Sequence, residues 1–314
     1  MSLNLTISAI RDETDRIRDI TLASADGTPL PQYTPGAHLD FDLANLGTRS
    51  YSLIDWPEEG NTNAYRIAVQ REDDGDGGSR HMHALQPGAT LTCSAPENDF
   101  ELAPRDGPVV LLAGGIGVTP LISMATQLLA GGRQFEFHYA ARSRAVTGYA
   151  DRIASAFGGH VTLHFDDVTP VDLNALMAGR DPATQVYVCG PRGMIDAARS
   201  AMTKAGLPDT QFHAELFATP AAEDGDAAFE VEVASSGQVF TIPPGKSIID
   251  VLEEAGVDLM YDCQRGDCGI CQTDVISGTP DHRDVVLSEA ERASGKVMQI
   301  CVSRAKSARL VLDL

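Results

Sequence analysis

Four cysteines near the C-terminus, Cys263, Cys268, Cys271 and Cys301, constrain this chain more than any other feature. Their spacing is C-x4-C-x2-C, with the fourth cysteine after a further twenty-nine residues. A [2Fe–2S] cluster needs four thiolates at tetrahedral positions on two adjacent irons, and this is a spacing that supplies them. The first three must come from one tight loop. Here it runs from Tyr261 to Cys271, where Gly266 and Gly269 let the backbone curl and aim N–H groups at sulfur. Zinc favours paired CxxC or Cys/His knuckles, and no second pair surrounds Cys301. A disulfide framework fits poorly too. The segment Met1–Thr6 lacks the basic and apolar regions of a secretory signal, and Cys93 and Cys189 are scattered. The four cysteines therefore read as ligands of a one-electron carrier, and the rest of the chain must hold the source of electrons.

Length and charge narrow the classes. A chain of 314 residues predicts two or three domains with real cores. No run approaches the ~20 apolar residues of a membrane span, so the expectation is a soluble, cytoplasmic protein with no membrane partner. A net charge of −20 argues against nucleic acid as a partner, which needs a basic footprint. Residues 223–314 hold 17 acidic and 8 basic side chains, a net −9. That balance suits docking to a basic patch on a protein, and it also suits simple solubility.

Texture divides the chain. Residues 1–105 alternate short apolar runs with turn signals (Ile17–Leu22, His38–Leu43, Tyr65–Gln70, Thr90–Ser94), which predicts a small antiparallel β-barrel. Residues 106–220 switch to a strand-then-helix rhythm, with buried strands at Val109–Ala113, Phe135–Ala140, Val161–Phe165 and Gln185–Cys189. This predicts an α/β domain with a parallel sheet. Residues 221–228 lie in a stretch of small and acidic residues that reads as a linker. A third, α+β domain then occupies 229–314, with strands near Glu230–Ala234 and Val239–Ile242 and a helix Ser247–Ala255 stopped at Gly256.

Three motifs precede the cysteines. Arg49-Ser50-Tyr51-Ser52-Leu53 opens a strand, and alternation sets Arg49 and Tyr51 on one face, where a guanidinium and a ring suit an anionic planar ligand. The same pair is also a commonplace surface feature. Asp76-Gly77-Gly78-Ser79-Arg80 opens a short helix, and its N–H groups suit an anion, or it is a plain loop with an N-cap serine. Gly114-Gly115-Ile116-Gly117-Val118-Thr119-Pro120 follows a strand and begins a helix, the context in which a dinucleotide pyrophosphate rests. Pro120 stands where a third glycine is usual, and it suits a first helical turn. The customary ribose-binding acid is missing after the next strand, where Arg142 and Arg144 stand instead. Finally, Val188-Cys189-Gly190-Pro191 forms a second strand-to-helix turn; Cys189 is either a core thiol or a neighbour of the reacting nucleotide.

Together RSYSL, GGS, GGIGVTP, YVCGP and the C-terminal cysteine pattern, spread over essentially the whole chain, resemble the phthalate dioxygenase reductase family, to which vanillate demethylase reductases belong. The resemblance implies an antiparallel barrel for a flavin, an α/β domain for a nicotinamide nucleotide and a β-grasp domain of plant-type ferredoxin character. It places Arg49 on the flavin phosphate and Tyr51 and Ser52 along the isoalloxazine, with Ser52 near the hydride-accepting nitrogen and Ser50 as a further cofactor contact. Gly77, Gly78 and Ser79 match the phosphate turn. Gly115, Gly117, Thr119 and Pro120 match the nucleotide loop, with Cys189, Gly190 and Pro191 as the second. Arg142 is a contact for the nucleotide, and Phe217, in His213–Phe217, is the ring that shields the flavin, unless it is a buried strand-end side chain. By the same resemblance Cys263 and Cys268 hold one iron and Cys271 and Cys301 the other. The implied cofactors are FMN rather than FAD, NADH rather than NADPH (which Arg142 and Arg144 would suit), and the [2Fe–2S] cluster. The implied activity is electron transfer from NADH through flavin and cluster to a Rieske-type oxygenase, by a monomer. A cytochrome P450 or a separate ferredoxin is the alternative acceptor, and a redox sensor the remote alternative.

Overall fold

The computed structural model describes residues 2–59, 63–105, 107–217 and 225–314. These form two compact units, 1–213 and 214–314. The expected linker 221–228 lies outside the described residues through Asp224. No helix among the described residues is long and apolar enough to cross a membrane.

The first unit begins with a six-stranded antiparallel sheet of β1 (Ser2–Asp12), β2 (Ile17–Ser24), β3 (His38–Asp42), β4 (Thr48–Ser52), β5 (Ala64–Gln70) and β6 (Thr90–Ser94), in the order β4-β3-β6-β1-β2-β5. It closes on itself where Ile54, just beyond β4, donates its N–H to Arg66 of β5 at 2.8 Å. Leu5, Ile7, Leu22, Leu39, Phe41, Ile67 and Leu91 fill the interior, the product of period-two alternation along each strand. A short helix α1 (Gly78–Ala84) follows β5 and buries Met82 in that core.

The same unit continues with β7 (Val109–Gly114), α2 (Val118–Ala130), β8 (Phe135–Ala141), α3 (Ala150–Phe157), β9 (Val161–Phe165), α4 (Leu173–Met177), β10 (Gln185–Cys189), α5 (Arg192–Ala205) and β11 (Phe212–Glu215). The sheet order is β11-β10-β7-β8-β9, with β10, β7, β8 and β9 paired in parallel. All six residues of β7 are buried, as a central parallel strand covered on both faces requires. Barrel and sheet share a core in which Ile17, Ile54, Trp56 and Phe100 meet Leu121, Ile122 and Phe157. Each such side chain contributes about 1.5–3 kcal/mol through burial.

The second unit holds β12 (Phe229–Val233), β13 (Val239–Ile242), α6 (Ile248–Glu254), β14 (Gln272–Ser277), β15 (Pro280–Asp281), α7 (Glu289–Ser294), β16 (Val297–Gln299), β17 (Arg304–Ala305) and β18 (Arg309–Leu312). Its main sheet runs β13-β12-β18-β14-β16, with β12 and β18 parallel at the centre. Helix α6 lays Ile248, Ile249 and Leu252 on that sheet, and the side chain of Ser247 caps it by accepting from the Asp250 N–H at 3.0 Å. The helix ends where expected, with Gly256 in the left-handed region at φ +81°.

Candidate functional site

In the first unit the expected residues gather at two places. At the barrel, Arg49 on β4 runs its side chain across Gly78 at the start of α1. A methyl carbon on Gly78 would lie 2.8 Å from Arg49 Nε and 3.0 Å from its Cγ, so glycine lets the guanidinium stem lie this close to the start of the helix. Gly77 precedes the helix at φ +94°, a left-handed conformation that frees the first helical N–H groups. Arg49 Nη2 reaches the exposed Asp76 carboxylate only at 3.4 Å, a contact weak enough for an anion to displace. A fixed guanidinium beside free helix-start N–H groups suits a phosphate monoester.

The neighbours on β4 divide between its faces. Tyr51 packs its ring 5.8 Å from Phe41, and burial pushes its hydroxyl up to about 12, with Arg49 opposing. Ser50 faces the other way and donates to Asp40 at 2.5 Å, so its side chain does not join Arg49 and Tyr51. Ser79 is likewise engaged: its hydroxyl accepts from the Glu72 N–H at 2.9 Å. Ser52 is buried at the end of β4.

The second gathering lies at the carboxyl ends of the parallel strands, where open α/β sheets bind ligands. β7 and β10 run side by side, with Ala113 opposite Cys189, and the turns that follow them interlock. A methyl carbon on Gly117 would lie 2.3 Å from the Cys189 carbonyl oxygen, and one on Gly190 3.0 Å from Gly114 Cα. Gly115 adopts φ +57° in open space, so its reason is conformational and not steric. Thr119 and Pro120 occupy the buried first turn of α2, and Thr119 Oγ1 donates to the Ile116 carbonyl at 3.1 Å, closing the loop. Cys189 is fully buried. Arg142 follows β8 at the same edge of the sheet and is exposed. Glu136 is unsuited to hold a ribose. Arg180 takes it with two guanidinium nitrogens, Nη2 at 2.7 Å, and holds the carboxyl down to about 2.

Sequence reasoning missed what joins the two places. Ser123 stands one helical turn after Thr119 on α2. Its hydroxyl donates to the Leu53 carbonyl at 2.7 Å and accepts from the Asp55 N–H at 2.8 Å. Thr126 adds a bond to the Asp55 carbonyl at 2.8 Å. The backbone just beyond Ser52 is thereby pinned to the helix that begins at Thr119. Residues four apart share a helix face, so Thr119 lies on the Ser52 side of α2. A buried serine in an apolar helix carried no signal of this role.

In the second unit the four cysteines converge. The Cys263 thiol meets those of Cys268 and Cys301, and Cys271 meets Cys301. Hydrogen bonds from Cys268 and Cys301 hold Cys263 far below an ordinary thiol, while Cys268 and Cys301 are pushed up in return. Four thiols so close cannot all ionise without cations among them, which is the chemistry of a donor set for two irons. The loop supplies N–H groups to sulfur as expected. Arg265 N–H lies 3.3 Å from Cys263 Sγ, and Ile270 donates to Cys268. Gly266, at φ +81°, sits where a methyl carbon would be 2.6 Å from Val302 Cγ2. The buried Asp284 braces the facing segment by accepting from the Val286 and Leu287 N–H groups at 3.1 and 2.8 Å. Asp267, beside Cys268, accepts from the Leu216 N–H at 2.9 Å. Phe217 follows β11 and is 42% exposed, so it is not a buried strand-end ring.

The comparisons agree with this geometry. Residues 231–306 match the family model of the 2Fe-2S iron-sulfur cluster binding domain. The chain is 40% identical over 317 residues to the phenoxybenzoate dioxygenase subunit beta of Ectopseudomonas oleovorans, covering 99% of this chain and 97% of that one. It is similar to the solved structure of phthalate dioxygenase reductase, a modular protein for electron transfer from pyridine nucleotides to [2Fe-2S] (TM-score 0.71, 36% identity, 100% of this chain and 98% of that one). It also matches, over 100% of its length, 41% of an intact type IV self-sufficient cytochrome P450 monooxygenase (TM-score 0.74, 36% identity). With the barrel, the parallel sheet and the four-cysteine unit in one order along one chain, this protein belongs to the phthalate dioxygenase reductase family and is a flavin- and iron–sulfur-dependent oxidoreductase.

Proposed function

We propose that this protein is the reductase of a Rieske-type oxygenase system. It would take electrons from NADH and deliver them, as a monomer, through FMN and a [2Fe–2S] cluster to the oxygenase. The observation that carries this reading is one chain holding both the Arg49–Gly78 anion cradle and the convergent cysteines, together with a full-length relative that is a dioxygenase subunit. When bound, the flavin takes an electron pair from the nicotinamide and releases it one electron at a time, which the cluster can accept.

The residues supply positioning. Arg49 and the start of α1 hold the flavin's phosphate, and Tyr51 lies along its ring. The interlocked turns at Gly117 and Cys189 carry the nucleotide's pyrophosphate, and Thr119 and Ser52 frame the place where nicotinamide and flavin meet. No proton donor is needed for hydride transfer, so buried, uncharged neighbours such as Thr119 and Cys189 suit the task. FMN is favoured because one phosphate cradle is present among the described residues of the barrel and no second motif suits an adenosine half. NADH is favoured by the same family likeness.

Reconstitution tests the acceptor. Reduction by NADH is expected to support turnover of a Rieske oxygenase; turnover with a cytochrome P450 and with no Rieske protein would overturn the reading. Because residues 223–314 carry −9, the rate of oxygenase reduction is expected to fall as ionic strength rises from 0.05 to about 0.5 M, while ferricyanide reduction changes far less. Rates independent of salt would remove the electrostatic docking argument. Extraction and chromatography of the flavin checks FMN against FAD. Arg49→Ala is expected to weaken flavin retention about 10- to 100-fold, the loss of one charge-assisted phosphate contact. Flavin release on dilution, with the cluster's spectrum unchanged, is the measurement.

A further inference from the structure

The outer face of the barrel carries a second donor set that electron transfer does not use. His38 on β3 and Glu97, in the segment after β6, exchange both backbone hydrogen bonds, His38 N–H to Glu97 O at 2.8 Å and Glu97 N–H to His38 O at 3.1 Å. Residues paired in this way stand directly opposite each other and point their side chains to one face. Asp40, two residues along β3, points to that face as well. The imidazole and the two carboxylates accordingly bring one donor atom each to within 4.8 Å of one another.

His38 is the informative member. Its side chain is only 6% exposed. Nδ1 is buried with no hydrogen-bond partner, and Nε2 meets only the Asp40 carboxylate, at 3.7 Å. That separation is too long for a hydrogen bond. It fits two donors on one ion, since atoms each about 2.0–2.2 Å from a metal can lie up to about 4.4 Å apart. Nε2, the ring nitrogen turned toward the carboxylates, makes no hydrogen bond of its own, and an ion between it and them would supply its partner. Ser50 fixes the Asp40 carboxylate by donating to Oδ1 at 2.5 Å, the kind of support that orients a ligating carboxylate. Neither carboxylate has a Lys or Arg ion-pair partner among the described residues.

We propose that His38, Asp40 and Glu97 form a binding site for one divalent transition-metal ion of the zinc class, separate from the iron–sulfur cluster. One imidazole and two carboxylates form a hard-to-borderline set that excludes Cu(I) and ranks Zn2+ above Mn2+ and Fe2+. Three protein donors leave a further position for water. The ion would tie β3 to the segment at Glu97, on the same face as Ser52, which pairs directly with His38 across the sheet.

Holo-protein with its iron content verified is titrated with Mn2+, followed by loss of the free-ion EPR signal, and the bound Mn2+ is then displaced with Zn2+. One equivalent of Mn2+ is expected to bind and to be displaced by Zn2+. His38→Gln is expected to weaken binding at least 10-fold while the cluster spectrum and NADH–ferricyanide rate are retained. Glu97→Gln, on an exposed side chain, is expected to do the same and guards against a folding failure at position 38. No bound equivalent in the parent protein, or equal affinity in both variants, overturns the proposal.

Discussion

Cys301→Ser is expected to abolish the cluster's visible absorption and to leave NADH–ferricyanide turnover largely intact. Cys301 is 4% exposed, and its thiol sits at the centre of the set, against both Cys263 and Cys271. Serine offers a hard, protonated oxygen in place of a soft thiolate, and a buried hydroxyl cannot reproduce the charge that two irons require. The backbone bond from the Val285 N–H to the Gly266 carbonyl, at 2.8 Å, does not involve that side chain. The residues assigned to flavin and nucleotide all belong to the other compact unit, apart from Phe217. On the proposed assignment, electrons from the nicotinamide nucleotide are expected still to reach a small dye while delivery to an oxygenase is lost. Parallel measurement of the visible spectrum, ferricyanide reduction and oxygenase reduction checks this. Loss of all three together would show that the two units do not work separably.

What was legible in the sequence follows from how local each feature is. The barrel strands β2, β3, β5 and β6 and the buried strands β7 to β10 announced themselves through period-two alternation or continuous apolar runs. So did the helix starting near Ser247 and its stop at Gly256, although the capping box at Ser247 was not read from the sequence. The strands β14 to β18 did not, being two to six residues long and mostly half polar, too short for any period to show. The motif residues came together as their order suggested, Arg49 over Gly78 and Gly117 against Cys189, because glycine next to a turn marks close backbone approach. The partners of Ser50 and Ser79 were not legible, since each lies distant in sequence or outside any motif, Asp40 and the Glu72 backbone. Nor were the Ser123 clamp and the His38–Asp40–Glu97 face, which exist only once separate elements are packed together.

Gly117→Ala is expected to lower kcat/KM for NADH by about 100-fold, with flavin and cluster spectra unchanged. Gly117 has φ −60° and ψ 0°, a conformation alanine adopts freely, so backbone strain contributes nothing. The obstacle is space. The added carbon would lie 2.3 Å from the Cys189 carbonyl oxygen, 2.5 Å from its carbon and 2.8 Å from Gly190 N. All three are backbone atoms at the end of β10, which is locked in register with β7 by parallel pairing. Relief must come from moving one of the two turns proposed to hold the nucleotide away from the other by on the order of 1 Å, a displacement that costs about 10²-fold where reacting groups must be aligned. Gly115→Ala makes the control. There φ is +57° with nothing within 4 Å, so alanine meets only the left-handed penalty of about 1–2 kcal/mol and leaves the two turns together. Steady-state kinetics with ferricyanide should therefore separate them, with the Gly117 variant far more impaired than the Gly115 variant. Equal impairment would mean that loop conformation, and not the packing of one turn on the other, sets how NADH is held.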